Sequence, residues 1–359
     1  MTENHVYQRQ NSSRFILDLE PLAKQIADWM PTRQIKGEPL GVISQVDNKE
    51  DNIMYPYETG MSVFGPVSQI YIKYILDMLD FDDKTKDLWA DAINRFQDPK
   101  TGLYCDNDTD MYIATADAVG ALELIERKPK YPLSALHETR AKIEDWLESR
   151  IWVAPFKPMH AGVDAGALVS ALMLEGHTPM SWFHRVVEWF DKEQDPYTGL
   201  WRKGLIDAKY LSKYHRLGFH ILAFIYEPLK QPVRYASNII DSVLRVRTNG
   251  EFYDAWEDGV AAQRPGVIKG WICYDGLYCL SRASRVAQDR RSDAIEAAEK
   301  LADLVLPKFA DPSQFSKNLF DTFYALGCVN VLPMLQELVP HRLKGRRLKN
   351  ILDRTGVFM

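Results

Sequence analysis

The sequence predicts an all-α protein, a single (α/α)6 toroid of alternating outer and inner helices. Apolar residues recur at spacings of three and four through most of the 359 residues, the period of helices with a buried face. Alternating apolar and polar patterns long enough for a useful β-strand are absent from the sequence. Two kinds of segment alternate, and six of each are what such a closed ring requires. An open superhelical solenoid is the structural alternative.

The first kind of segment is poor in charge and rich in Ala, Gly, Leu, Tyr and Phe, as expected of helices that are buried all round. We predict that these segments are the inner helices of the ring. They span 63–79, 110–126, 160–175, 210–226, 267–283 and 314–328.

The second kind is amphipathic and predicts outer helices with one face in water. Ser134 and Asp83 are expected N-caps, because their side chains can accept hydrogen bonds from a helix N-terminus. Pro179 is expected as the first residue of its helix and Gly176 as a C-cap. The outer segments span 18–30, 84–96, 136–149, 179–192, 232–246 and 290–305.

Length, charge and cysteine usage set the remaining global expectations. No domain boundary is evident, so we expect one toroid over 1–359 with an N-terminal arm at about 1–17 and a C-terminal tail at about 340–359. Four scattered cysteines and an N-terminus without an apolar signal-peptide core favour a cytoplasmic protein. A net charge of −5 gives no bulk attraction to nucleic acid, whereas a peripheral membrane contact and the oligomeric state stay open.

One phrase occurs twice, as Gln-Asp-Pro-x-Thr-Gly-Leu-aromatic starting at Gln97 and again at Gln194. A weaker third version occupies 249–253. Turn physics accounts for most of its residues, because Pro fixes φ, Gly takes a positive φ and Asp accepts backbone hydrogen bonds. We therefore expect mainly structural turns, which join outer to inner helices on one rim of the ring.

These turns carry a resemblance to a known family. A glutamine, a turn glycine and a final Tyr or Trp resemble the QW repeat of squalene-hopene and class II terpene cyclases, over about 60–330. Four residues separate Gln194 from Gly199, one more than in that motif. Asp106-Asn107-Asp108-Thr109, at the start of a predicted inner helix, resembles the DxDD motif of these enzymes in its DxDT form.

Two departures from the family pattern accompany this match. The Thr-Ala pair that often follows the motif directly comes only at Thr115-Ala116. Asp80-Phe81-Asp82-Asp83 fits DxDD more literally, but we interpret it as a cap at the opposite rim. The class I signature DDxxD is absent from the sequence.

The resemblance implies a compact single-domain class II cyclase, similar to those of bacterial meroterpenoid pathways. In that family an aspartic acid protonates a terminal alkene or epoxide of a linear polyprenyl chain, which can carry an aromatic acid, and the cation then closes rings. Asp108 would be the proton donor, Asp110 or Asp106 would hold its geometry, and His160 would help to reprotonate it. No cofactor or metal is expected, with magnesium needed only if the substrate carries a diphosphate.

Clustered aspartates at a helix start suit this chemistry, because like charges cannot all ionise and the helix N-terminus stabilises the anion left after proton transfer. An N-cap with solvated turn acids is the structural alternative. The final proton would pass to one of the other rim or inner-helix acids. These are Asp254, Asp258, Asp275 and Asp321.

A carbocation in a dry cavity needs electron-rich walls, which aromatic faces supply at about 0.5 to 2 kcal/mol each. Core packing is the alternative use of every such ring. Basic residues near inner-helix starts could make a mouth for a carboxylate or phosphate, namely Lys157, Lys209, Lys213, His215, Arg216 and Lys269. The expected substrate-binding aromatics are Tyr57, Tyr104, Tyr112, Trp152, Tyr210, Tyr214, Trp256, Trp271, Tyr274 and Phe315, with Trp201 as a further candidate.

Other functions stay open. An (α/α)6 glycoside hydrolase or polysaccharide lyase would pair Asp108 with Asp254 or Asp258 as acid and base in an open polar groove, whereas a terpenoid needs an enclosed apolar pocket. Trp271-Ile272-Cys273-Tyr274 resembles the cysteine-bearing helix of protein prenyltransferase β-type subunits, but the zinc ligands are missing. A non-catalytic partner-binding toroid would have a packed centre and an exposed apolar rim.

Overall fold

The computed structural model describes residues 14–44, 61–105, 111–153, 158–253, 264–354 and 356–358. This part of the chain is mostly helical, which confirms the all-α class. Its strands are short: β1 (Leu17–Asp18) pairs in parallel with β4 (Leu343–Lys344), and β2 (Arg247–Thr248) pairs antiparallel with β3 (Glu251–Phe252).

Six helices overlap the predicted inner segments, the last of them only in part, and we refer to them as the central helices. A π-helical turn over Leu222–Tyr226 extends the fourth of them. They are α2 (Phe64–Ile75), α4 (Met111–Leu124), α7 (Pro158–Glu175), α9 (Leu211–Ile221), α11 (Gly270–Val286) and α14 (Thr322–Leu338).

The remaining α-helices precede the first central helix or lie between central helices along the chain, and most of them are amphipathic. The shortest of them, α13, is a single turn between the last outer and the last central helix. They are α1 (Leu19–Trp29), α3 (Asp83–Asn94), α5 (Ser134–Ala141), α6 (Ile143–Ser149), α8 (Met180–Glu193), α10 (Ala236–Arg245), α12 (Arg291–Ala310) and α13 (Pro312–Phe315).

The central helices contact one another in a cyclic order. Helix α2 contacts α4, which contacts α7, and the series continues through α9 and α11 to α14, which contacts α2 again. Glycine permits the closest of these approaches, since a Cβ on Gly270 of α11 would overlap the backbone of Gly327 in α14. The central helices therefore share one interior, where most of their side chains are buried.

Two predicted helix spans differ from the structure. The outer segment 136–149 is two helices, because Lys142 leaves the helical region with φ −125° and ψ 40°. The last inner helix starts at Thr322 rather than 314, since the Asp321 carboxylate caps it by accepting a hydrogen bond from the Tyr324 N–H at 2.8 Å. It then runs on to Leu338 with Pro333 inside it.

Three predicted caps are off by one residue. Asp82, not Asp83, caps α3 by accepting from the Thr85 N–H at 2.7 Å. Pro179 is the extended residue before α8, and Ser134 is already the first residue of α5. Gly176 lies just beyond α7 with φ +80°, as predicted for a C-cap.

Candidate functional site

The repeated turns are structural, as the sequence indicates. The Gln97 amide donates to the carbonyls of Gly102 and Tyr131, both at 2.8 Å, and its oxygen accepts from the Tyr131 N–H at 2.8 Å. Asp98 accepts from the Lys100 N–H at 2.7 Å. Tyr104 closes the turn as a buried ring, and its hydroxyl donates to Asn94 Oδ1 at 2.6 Å. The turn thereby ties one helical pair to the next.

The second copy repeats this arrangement. The Gln194 amide donates to the Gly199 carbonyl at 2.8 Å and to the Arg234 carbonyl at 3.0 Å, and Trp201 is fully buried. Gly102 has φ +75° and Gly199 has φ +71°, values that favour glycine. The amide donor contacts are equivalent in both copies, which makes the phrase a joint between hairpins, although Gln194 Oε1 has no hydrogen-bond partner among the described residues.

Several predicted site residues lie outside the described residues. They include the acidic cluster Asp106, Asp108 and Asp110, on which the resemblance to class II cyclases depends. Their roles stay predictions. The others are Tyr57, Lys157, Asp254, Trp256 and Asp258.

Three predicted substrate-binding aromatics contact outer helices or basic side chains. The Tyr112 hydroxyl lies 3.1 Å from Thr139 Oγ1, and the Trp152 Nε1 donates to the Leu147 carbonyl at 2.6 Å. Tyr210 lies beneath the Lys209 and Lys213 ammonium groups, which are 4.9 and 5.4 Å from its ring centre. The structure does not bring these three rings together.

Three more predicted aromatics also have separate partners. The Tyr214 hydroxyl donates to the Leu205 carbonyl at 3.1 Å, and the Trp271 ring centre lies 4.6 Å from that of Phe323. Phe315 packs against Phe309 of α12 with 5.2 Å between ring centres. Each of these three rings therefore packs between elements of the fold.

The prediction of a basic mouth is wrong for two of its residues. His215 is fully buried and Arg216 is 9% exposed, because both lie within the central helix α9. The Lys269 ammonium lies 3.6 Å from the Glu251 carboxylate and is therefore paired.

Arg216 instead takes part in an interior ion pair. Its Nε donates to Asp275 Oδ2 of α11 at 2.9 Å, and Asp275 is 1% exposed. Burying a guanidinium or a carboxylate alone would cost the full desolvation free energy of the charge. Pairing the two offsets part of that cost. The pair fixes the relative position of α9 and α11 at this level.

His220 lies one turn further along α9 and carries no charge. Its Nδ1 is 2.8 Å from the Arg216 carbonyl, which can only accept, so Nδ1 bears the proton and Nε2 keeps its lone pair. The pKa of His220 is lowered from 6.5 to about 3, mainly by burial. The hydrogen bond to the Arg216 carbonyl opposes this lowering, while the positive charge of Arg216 and the imidazole of His160 on α7 add to it. A neutral imidazole with a free lone pair can act as a base.

Asp117 of α4 is a further neutral group of the interior, besides His220 and His215, whose pKa burial also lowers to about 3. It is 2% exposed, and its Oδ2 has no hydrogen-bond partner among the described residues. Burial raises the pKa of this carboxyl well above 3.8, which favours the protonated acid. Its backbone carbonyl accepts from the Tyr71 hydroxyl of α2 at 3.0 Å. We refer to His160, Arg216, His220 and Asp275 as the central cluster.

Aromatic rings pack beside this cluster. The ring centre of Phe219 lies 5.5 Å from that of Tyr274 and 5.3 Å from that of Tyr278, both edge to face. Phe224 lies one turn beyond His220, 4.3 Å from Phe358 between ring centres. Tyr274, one of the predicted substrate-binding residues, therefore packs against the buried rings of Phe219 and Tyr278.

Sequence reasoning missed Asp117 and His220 as candidates, although a signal was present. Each is an ionisable residue inside a segment predicted to be buried all round. Burying such a group is costly unless it is neutralised or paired. Residues of this kind are therefore found preferentially at functional sites. Asp321, an expected acceptor of the final proton, caps α14 instead.

Two clefts open on the outer surface. Their volumes are 550 and 440 Å³, and neither is lined by a residue of the central cluster. Within the described ranges, no three or more His, Cys, Asp or Glu side chains are grouped so as to hold a metal ion. No helix among these residues has the length and apolar character needed to cross a membrane.

Comparison of the chain with family models, with curated proteins and with solved structures finds no match. The function therefore has to be inferred from the residues and their geometry.

Proposed function

We propose that the central helices and their outer partners form an (α/α)6 toroid, and that the protein is a class II terpene cyclase. Its substrate would be a linear polyprenyl chain, including one attached to an aromatic acid. The cyclic contacts of α2, α4, α7, α9, α11 and α14 support the ring. The alternation of central and amphipathic helices supports it as well.

The observation that carries the proposal is the buried carboxyl of Asp117. Protonating an alkene requires an acid that is protonated at rest and shielded from water, and burial among apolar central helices meets both requirements. Asp117 lies on the same helix that follows the Asp106–Asp110 cluster, about 9 Å along the axis from Met111. Asp108 is the donor that the family resemblance implies, and Asp117 is the donor that the geometry favours.

In the proposed reaction the protein donates one proton to the substrate and later removes one proton from it. The carboxyl O–H adds its hydrogen to the terminal alkene carbon, and the resulting cation is attacked by the next double bond to close a ring. A base then removes a proton from the last cation, so substrate and product are isomers. His220 offers a neutral Nε2 for this last step, beside His160. The faces of Phe219, Tyr274 and Tyr278 can stabilise the intermediate cations.

A sugar-processing enzyme is the second candidate, and a specific observation favours it. The buried Arg216–Asp275 pair and two interior histidines supply polar groups that a hydrocarbon substrate does not need. A glycoside hydrolase or polysaccharide lyase would use such groups to bind hydroxyls and to transfer protons.

The test incubates the purified protein, without metal, with farnesyl- and geranylgeranyl-bearing aromatic acids. We expect cyclised product from the wild type and from Asp28→Asn, an exposed carboxyl change on α1 that serves as the matched control. Asp108→Asn and Asp117→Asn are run in parallel, and the donor is the residue whose amide variant stays folded and makes no product. Equal turnover by both variants would remove both acids from the mechanism. Release of reducing ends from a polysaccharide panel, without terpenoid turnover, would favour the sugar enzyme.

A further inference from the structure

The larger of the two outer clefts lies between the helices α5 and α8. Its volume of 550 Å³ falls within the range of about 300 to 1,000 Å³ that is typical of small-molecule sites. The described residues that line it include no acid, and they are His137, Arg140, Ala141, Pro179, Ser181, Trp182 and Arg185. The cleft can therefore accept a small organic molecule without placing it against a carboxylate of these walls.

The Arg140 guanidinium is the principal charge of this cleft. Its Nη1 donates to Thr178 Oγ1 at 3.0 Å and to the His177 carbonyl at 3.5 Å, which are both uncharged acceptors. It forms no ion pair with a carboxylate in the described part of the chain. A guanidinium has five N–H donors arranged in a fork that fits two oxygens of one anion. Arg140 thus keeps its charge and most of its donors for an anion from solution.

The start of α8 adds hydrogen-bond donors to the guanidinium. Pro179 is the N-cap residue of this helix and has no side-chain oxygen that could accept from the first N–H groups. Ser181 lines the cleft, and neither its N–H nor its hydroxyl donates to another described residue. The positive end of the helix dipole also favours an anion here. These donors supplement Arg140, which supplies the charge.

Arg185 brings a second guanidinium to the same cleft, one turn along α8. Its Nη1 lies 3.6 Å from Glu144 Oε1 of α6, and both side chains are more than half exposed. Exposed pairs of this kind are weak, so an anion in the cleft can compete with Glu144 for Arg185. His137 differs, because its Nε2 lies 2.7 and 2.8 Å from the two Glu175 carboxylate oxygens. We therefore assign His137 to the wall and not to the anion.

The second outer cleft shows what an arginine-lined cleft looks like when its charge is compensated. Arg150 and Arg202 line it together with Glu148. Arg150 lies 3.6 Å from the Asp164 carboxylate, and Arg202 lies 3.5 Å from that of Glu193. Carboxylates therefore outnumber arginines around the second cleft, and only the first one is suited to an anion.

We infer that the cleft between α5 and α8 binds a phosphate monoester, with the phosphate on Arg140 and Arg185 and the organic group on Pro179 and Trp182. A phosphate carries about 1.5 to 2 negative charges at neutral pH and three acceptor oxygens. It therefore uses two guanidinium groups and the donors of Ser181 more fully than the two oxygens of a carboxylate can. The volume exceeds what a bare phosphate ion needs, which leaves room for the organic group. This site lies on the outer surface and does not depend on the proposed cyclase reaction.

The experiment measures, by calorimetry, the binding of phenyl phosphate, inorganic phosphate and benzoate to the full chain. The variants are Arg140→Gln and Glu144→Gln. Arg291→Gln is the matched control, since it removes the same charge from an exposed arginine at the start of α12, outside the cleft. Circular dichroism verifies that each variant is folded. Glu144→Gln changes an exposed side chain, so it decides the test if Arg140→Gln does not fold.

The inference predicts that the wild type binds phenyl phosphate more tightly than inorganic phosphate or benzoate. Arg140→Gln should weaken this binding by about tenfold, and Arg291→Gln should leave it unchanged. Glu144→Gln should strengthen it by about two- to threefold, because Arg185 is released for the phosphate.

The site would be overturned if the wild type does not bind phenyl phosphate, or if a folded Arg140→Gln binds it as tightly as the wild type. If Arg140→Gln does not fold, unchanged affinity in Glu144→Gln would overturn it instead. Equal binding of benzoate would contradict the phosphate, and equal binding of inorganic phosphate would contradict the ester.

Discussion

The repeated turns and the interior of the central helices use their polar groups differently. The amides of Gln97 and Gln194 donate equivalent hydrogen bonds to backbone carbonyls, and each lies beside a fully buried aromatic ring. In the interior, Asp117 keeps one oxygen without a partner among the described residues, and His220 is held neutral. The comparison indicates that polar residues in a repeated turn have a structural role. Ionisable residues inside apolar helices are the better candidates for a catalytic role.

The largest expected effect tests the structural side of this comparison. In Gly102→Ala the new Cβ would overlap the Pro132 carbonyl oxygen. Relieving this overlap requires the backbone at residue 102 or 132 to shift together with the helix pair attached to it. We expect the free energy of unfolding to fall by about 4 kcal/mol or more, measured by urea denaturation. Gly204→Ala is the matched control, because it has φ +74° but no atom within 4 Å of the new Cβ, so only about 1 kcal/mol of backbone strain should appear. Equal losses would show that the joint does not depend on this close approach.

Gln97→Leu should have the next largest effect. It leaves the carbonyls of Gly102 and Tyr131 and the Tyr131 N–H without their buried partner. The expected loss of unfolding free energy is about 2 to 3 kcal/mol by urea denaturation. Gln231→Leu serves as the control, since that amide donates to the Leu229 carbonyl within its own loop, and it should cost about 1 kcal/mol or less. A loss no greater than that of the control would argue against the joint.

Asp117→Asn should raise stability at neutral pH. The unfolded carboxyl ionises above about 3.8, while burial raises the folded pKa, so the wild type loses about 1.4 kcal/mol per pH unit between these two values. Asparagine does not titrate, and the variant should therefore gain at least about 1 kcal/mol over the wild type at pH 7 but little near pH 3.8. Asp28→Asn on the surface should show no such gain. Destabilisation by Asp117→Asn at pH 7 would mean that the acid is ionised and paired.

The effect expected for His220 is small near neutral pH and grows only as the pH falls. Its folded pKa of about 3 lies below 6.5, so the unfolded state binds the extra proton and stability is lost as the pH falls from 6.5 towards 3. The contribution is about 1.4 kcal/mol for each pH unit. His220→Gln should reduce the slope of unfolding free energy against pH by that amount in this range, whereas His177→Gln, an exposed change, should not. An unchanged slope would contradict the neutral imidazole.

The helical class, the alternation of helices and the turns could be predicted because they depend on local periodicity and on turn chemistry. The start of α14 could not, since the Asp321 cap competes with an apolar stretch that already begins at Phe315. Burial of Phe358 depends on Tyr71, His220 and Phe224, which are distant in the sequence, and nothing in the short C-terminal sequence indicates it. The Arg216–Asp275 pair joins residues 59 apart, so only the packing of α9 on α11 reveals it.

The central claim is that a protonated carboxyl in the interior transfers its hydrogen to a polyprenyl alkene. The most direct measurement runs the reaction in D2O with an alkene-terminated geranylgeranyl aromatic acid and determines the mass of the cyclised product. The account predicts one deuterium at a carbon that does not exchange, in product from the wild type and not from the inactive donor variant. A cyclised product without deuterium, or deuterium incorporation that persists in both Asp108→Asn and Asp117→Asn, would contradict it.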